Sequence, residues 1–207
     1  MENVQKDLYS EIGINWKEII LKTSYWVSKD TYDLIGDKTS RGVYYPFSIR
    51  IQKDNAGWKE INNEWLFTAQ NQKPQDALSF SLTGKSWGTI KKSWPAGKKF
   101  TCCHIYDKKN TKDWKTYTNV ANLILVPQPL KSITDHDIEV VEFLKRISYT
   151  LYDWKPENSN VQKLDKDILK SLNIINTPKG FTATRDSNLI RYFKDCPDKE
   201  LFNNFIK

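Results

Sequence analysis

Thr116-Tyr117-Thr118-Asn119-Val120-Ala121-Asn122-Leu123-Ile124-Leu125-Val126 is rich in β-branched residues and free of glycine, which predicts a strand buried on part of both faces. Pro127 and Pro129 stop it, because neither can donate to a sheet ladder. Ser132 with Asp135, and Thr134 with Asp137, form capping-box patterns with Asp in place of Glu. The helix they introduce carries Ile138, Val141, Leu144 and Leu151, widened by Val140, Phe143 and Ile147. Apolar positions three and four apart make one broad face that must be buried. Strand, proline turn and helix run as one unit to Tyr152. The helix is expected to pack on a β-sheet, since most of the preceding chain reads as strands.

Upstream, residues 1–13 read as a polar lead-in with a short helix across Val4, Leu8 and Ile12, and residues 14–28 as a long, bent first strand. Gly36-Asp37 and Ser40-Arg41-Gly42 mark a loop. Residues 43–51 alternate, with Val43, Tyr45, Phe47, Ile49 and Ile51 on one face and Pro46 marking an edge or a bulge. Residues 64–70 and Leu78-Ser79-Phe80-Ser81-Leu82 both read as strands and compete for one slot. Residues 83–99 form a connection with a short helix around 87–92, and residues 100–106 are the penultimate strand.

Uneven strands, one longer connection before the fourth and a helix after the last predict a mainly β fold. It is an OB-type five-stranded Greek-key barrel with a C-terminal helix and a short helical extension. Residues 1–155 form the barrel domain with its lead-in. After a linker at residues 155–160, the extension 156–207 is expected to carry helices over 161–173 and 188–205, the second interrupted by Pro197. It is too thinly apolar to stand alone and should dock on the barrel or a partner.

A chain of 207 residues accommodates one substantial domain plus an extension. No apolar leader or membrane-length run is present, so a soluble, intracellular chain without membrane contact is expected. Three cysteines, Cys102, Cys103 and Cys196, make no even framework and predict free thiols in a reducing compartment. Nine lysines against two aspartates lie between Gly84 and Lys115, and they account for the whole excess of +7. The basicity is regional.

Four patterns bear on chemistry. Gly84-Lys85-Ser86 lacks the upstream glycine of a phosphate-binding loop, since Ser79 stands there. Cys102-Cys103-His104 holds metal-ligand residue types. Alternation lets only Cys102 and His104 share a site, and zinc would need two more ligands from His136 or Cys196; buried thiols are the expected reading. Asp107-Lys108-Lys109 after a strand, with Asp76 upstream, suits a Mg²⁺-dependent nuclease, although a hairpin turn needs the same residues. Asp135-His136-Asp137 reads as acids at a helix start, with no nucleophile placed for His136. No metal or cofactor is expected. The basic stretch interleaves Trp87, Trp94 and Trp114 with lysines, a mixture that tracks a phosphate backbone while bases stack on indoles or anchors a protein partner. The binding surface is therefore assigned to Lys85, Trp87, Lys91, Lys92, Trp94, Lys98, Lys99 and Trp114.

Asn15-Trp16-Lys17-Glu18-Ile19-Ile20-Leu21, the run Val120 to Pro127 and the following helix resemble the opening strand and closing unit of a telomere OB-fold family. It comprises the telomerase-recruiting shelterin subunit and the bridging subunit of ciliate telomerase holoenzymes. The likeness covers about residues 14–152 in order. It implies a non-catalytic scaffold in the nucleus, at the telomere. That scaffold would grip the reverse transcriptase's N-terminal (TEN) domain and neighbouring insertion and promote repeat addition. It would also link the enzyme to OB-fold single-strand DNA-binding proteins, with direct contact to single-stranded DNA an added expectation. The family's acidic patch in the connection before the fourth strand is not carried over, because Lys85, Lys91, Lys92, Lys98 and Lys99 occupy that connection here. The alternatives are a single-stranded nucleic-acid-binding OB protein acting alone and the Mg²⁺-dependent nuclease.

Overall fold

Asn15 starts the first helix. Its side chain accepts from the backbone N–H groups of Lys17 and Glu18 at 3.1 and 3.4 Å, satisfying donors that a helix start leaves orphaned. Residues Trp16–Thr23 are accordingly α1, with Trp16, Ile20 and Leu21 buried. Only Tyr25–Val27 forms strand β1, so the long first strand read from residues 14–28 is corrected. A helix of two turns followed by a three-residue strand produced its mixed periodicity. The structure, a computed structural model, describes residues 11, 13, 15–51, 56–93, 99–106, 112–182 and 187–206. The helix read across Val4, Leu8 and Ile12 lies outside the described residues.

After β1 come α2 (Lys29–Asp33), β2 (Ser48–Arg50), β3 (Gly57–Ile61), β4 (Glu64–Ala69), α3 (Gln72–Thr83) and α4 (Trp87–Ser93). Then follow β5 (Phe100–His104), α5 (Trp114–Tyr117), β6 (Leu123–Pro127), α6 (Lys131–His136) and α7 (Ile138–Tyr152). Beyond residue 156 lie a 3₁₀ segment Lys166–Ser171, β7 (Asn173–Ile175), α8 (Ser187–Lys194) and α9 (Lys199–Ile206). Among the described residues, no helix is long and apolar enough to cross a membrane.

The strands form two mixed sheets, in the orders β5-β6-β1-β7 and β2-β4-β3. Among the described residues no closed barrel is present, and the chain is mixed α/β instead of mainly β. The decisive correction is at Leu78-Ser79-Phe80-Ser81-Leu82, which lies inside α3. Every residue from Ala77 to Leu82 is buried, so this helix needs no polar face and its period-two alternation carries no strand signal. Two of its hydroxyls are satisfied along the helix, Ser81 donating to Ala77 O at 2.7 Å and Thr83 to Ser79 O at 2.8 Å, and Ser79 donates to Lys85 O just beyond it. Gly84, at φ 70°, ends it in the left-handed cap.

Residues 43–51 are corrected in the same way. Only Ser48–Arg50 is strand, Val43 makes a single bridge to Asn119, and Tyr44 and Tyr45 are both buried. Of the quoted run 116–126, only its end is strand. Trp114–Tyr117 is a helical turn and Val120–Asn122 a 3₁₀ turn. The proline stop after β6 and the long helix are as expected. Its cap is Asp137, which accepts from Val140 N at 3.0 Å; the Ser132–Asp135 and Thr134–Asp137 boxes do not form, because those residues belong to α6 or to its end. Ile138 is 80% exposed, and Val140, Leu144, Ile147 and Leu151 make the buried stripe. The short helix around residues 87–92 and the helix pair flanking Pro197 are present.

The extension is not wholly helical. In place of the helix read over 161–173 there is the 3₁₀ segment, and β7 joins β1 in parallel, with Tyr25 opposite Asn173 and Val27 opposite Ile175. Trp26, fully buried, sits at the centre of the resulting core. Tyr152 at the end of α7 donates to Val27 O at 2.7 Å, and α3 lies against β1, β5 and β6.

Gly42 shows how tightly the loop before β2 is held. Its φ is 78°, its N–H donates to Ile35 O at 2.7 Å, and a Cβ would sit 2.1 Å from Tyr32 Cε2, a ring in the core. Gly42→Ala is expected to lower the unfolding free energy by about 2–4 kcal/mol, read as a lower urea midpoint at unchanged slope.

Candidate functional site

A cavity of about 630 Å³ opens where β2, α3, β5 and α6 meet. Its wall takes Arg50 from the end of β2, Asn71 and Gln75 from the start of α3, and Thr101 to Tyr106 from β5 and its exit. Lys131, Thr134, Asp135 and His136 come from α6. Basic, acidic and imidazole groups from four elements thus converge on one space. The sequence reading did not assemble this set.

His104 is the central group. It ends β5, and the chain beyond it is captured by Asn122, whose Oδ1 accepts from Ile105 N at 3.1 Å and Tyr106 N at 2.7 Å. The Nδ2 of Asn122 donates to Thr116 O at 3.0 Å. Asp113 caps α5 by accepting from Lys115 N at 2.9 Å. These bonds fold the segment 113–118 back so that the Tyr117 carbonyl lies 3.1 Å from His104 Nε2. The two rings stack, with centroids 5.6 Å apart and planes 10° from parallel. The Tyr117 hydroxyl donates to Gln70 O, fastening the same residue to the end of β4.

The carbonyl settles the tautomer. A carbonyl oxygen only accepts, so Nε2 carries the hydrogen and Nδ1 keeps the lone pair. His104 is half-buried and lines the cavity. Burial, reinforced by the nearby Arg50 charge, lowers its pKa to about 4 against the bond to Tyr117, so the imidazole is neutral at pH 7.

That depression makes a stability prediction. Above pH 6.5 the imidazole is neutral folded or unfolded and contributes no pH dependence. Between about 6.5 and 4 the unfolded chain binds a proton that the folded one refuses, so stability falls as pH falls. Lowering the pH from 7 to 4 is expected to cost wild type about 2–3 kcal/mol more than His104→Gln, measured by urea unfolding at both pH values.

The two β5 cysteines also line the cavity and stay protonated. Burial pushes Cys103 up to about 12 and Cys102 well above the ordinary thiol range. Thr134 Oγ1 donates to Cys103 Sγ at 3.5 Å. The free-thiol reading fits this arrangement. Among the described residues, no group of three or more His, Cys, Asp and Glu side chains is placed to hold a metal ion.

The residues assigned from sequence scatter. Trp87 is buried in the core, so its indole is not on the surface. Lys85 is exposed at the end of α3, and Lys91 and Lys92 belong to α4. Trp94 and Lys98 lie outside the described residues. Lys99 lines a separate groove with Phe100. Trp114 is half-buried, its ring centred 4.6 Å from that of Phe47. Of the nuclease residues, Asp76 accepts from Trp87 N at 3.0 Å at the start of α4, while Asp107 and Lys109 lie outside the described residues. The available signal for the cavity was His104 at a strand end with Asn119 and Asn122 downstream. Nothing local marked Arg50 or Lys131.

No family model, curated protein or solved structure matches the chain.

Proposed function

We propose that this protein binds nucleic acid at the cavity and hydrolyses a phosphodiester bond there, with His104 as general base. One observation carries the reading: a neutral imidazole, fixed in one tautomer by the Tyr117 carbonyl, lines a cavity that also holds Arg50 and Lys131. A water oxygen attacks phosphorus, its proton passes to Nδ1 of His104, and the bond to the leaving oxygen breaks. That oxygen takes a proton from a second water, and the hydroxide so formed takes the proton back from Nδ1, which restores the neutral imidazole. The two cations stabilise the charge that grows on the phosphoryl oxygens, and an anion in the cavity raises the proton affinity of His104 when it is needed. The residues differ from the Asp76, Asp107 and Lys109 set.

The test is incubation of the purified chain with end-labelled single-stranded DNA, duplex DNA and RNA, with and without Mg²⁺. Shortened products from at least one substrate are expected, and binding without products removes the hydrolase reading. The telomerase scaffold is the second reading. It is favoured by the succession of β6, proline break and α7, and a pull-down with the reverse transcriptase's N-terminal domain tests it.

A further inference from the structure

We infer that a second, basic cleft takes the phosphates flanking the bond cleaved at the His104 cavity, an inference that rests on the proposed hydrolase reading. The cleft measures about 400 Å³ and is lined by Lys38, Arg41, Lys115 and Lys155 against Asp113 and Glu157. The Asp113 carboxylate is held in place by capping α5 and keeps its charge, so four cations face two carboxylates and the cleft carries a modest positive excess. Arg41 is paired with Asp33, so Lys38, Lys115 and Lys155 supply most of the attraction for a polyanion.

One short segment of chain connects the cleft to the cavity. Lys115 stands two residues from Tyr117, at most about 7 Å of chain, and Tyr117 is the residue that orients His104. Asn119 ties the walls together, its Nδ2 donating to Arg41 O at 3.0 Å and to Lys115 O at 3.2 Å. The opposite lip is pinned by Asp37, whose Oδ1 accepts from Thr39 N at 2.7 Å and Ser40 N at 2.9 Å. The backbone that carries Lys38, Arg41 and Lys115 is therefore held against the turn that orients the imidazole, and a track for a phosphodiester backbone needs its cations on such a held frame.

The experiment compares wild type with Lys38→Glu/Lys155→Glu, two exposed or half-exposed positions outside the turn that holds His104. It measures Kd and its salt dependence on a labelled single strand of about 16 nucleotides, and cleavage of that strand and of a dinucleotide. The variant is expected to bind the strand about ten-fold or more weakly, with a salt slope shallower by about 1.4. Its kcat and its dinucleotide cleavage should match wild type. Unchanged Kd and slope overturn the cleft while leaving the hydrolase reading standing. Variant-sensitive binding with no cleavage by wild type sinks the hydrolase reading and keeps the cleft as a binding site. No binding by wild type removes both.

Discussion

His104→Ala is expected to cut phosphodiester cleavage by about 10²–10⁴-fold, the usual contribution of a general base, while oligonucleotide affinity stays near wild type. Removing an imidazole also opens space beside Tyr117, so His104→Gln is the informative companion. Its amide N–H can replace the bond that Nε2 makes to the Tyr117 carbonyl, yet it offers no basic lone pair. Both variants should be inactive, and an active His104→Gln protein would make the imidazole a structural group only. The pH profile adds a reading that packing alone does not supply. In the free protein the base is lost only near pH 4, so kcat/KM should hold to about that value. The acid limb of kcat should lie higher, because the bound phosphate stabilises the imidazolium.

Tyr192→Ala carries the largest expected stability loss, about 3–5 kcal/mol in urea unfolding, the range for truncating a buried aromatic. Tyr192 lies in α8, yet its ring packs within 5.2 Å of the ring centroids of Tyr45, Trp58 and Phe67 and 4.9 Å from that of Phe193. Its hydroxyl donates to Pro46 O at 2.7 Å. Lys73 Nζ stands 4.5 to 5.1 Å from the Tyr45, Tyr192 and Phe67 rings, and burial lowers its pKa despite Asp76 nearby. Losing the phenol ring removes apolar contact area and exposes a cation that the rings hold. Tyr192→Phe keeps the ring and loses one hydrogen bond, and should cost about 1 kcal/mol. If Tyr192→Ala costs no more than that, α8 is not packed against the second sheet.

Features made by neighbouring residues were legible without a structure. Pro127 and Pro129 end β6 because they lack a donor, the apolar stripe of α7 follows from its spacing, and Pro197 separates α8 from α9 because it cannot continue a helix. Burial on every side was not legible. Leu78 to Leu82 alternates like a strand, but α3 is enclosed, and an enclosed helix has no polar face to reveal its period. Nor could any local pattern show that β7 would pair with β1 across most of the chain. The candidate site divides along the same line. His104 and the asparagines after it were visible as residue types. The Tyr117 carbonyl that sets the tautomer, and the approach of Arg50 and Lys131 from other elements, exist only once the chain has folded. A tautomer and a lowered pKa are properties of an environment, and that environment is built from residues far apart in the chain.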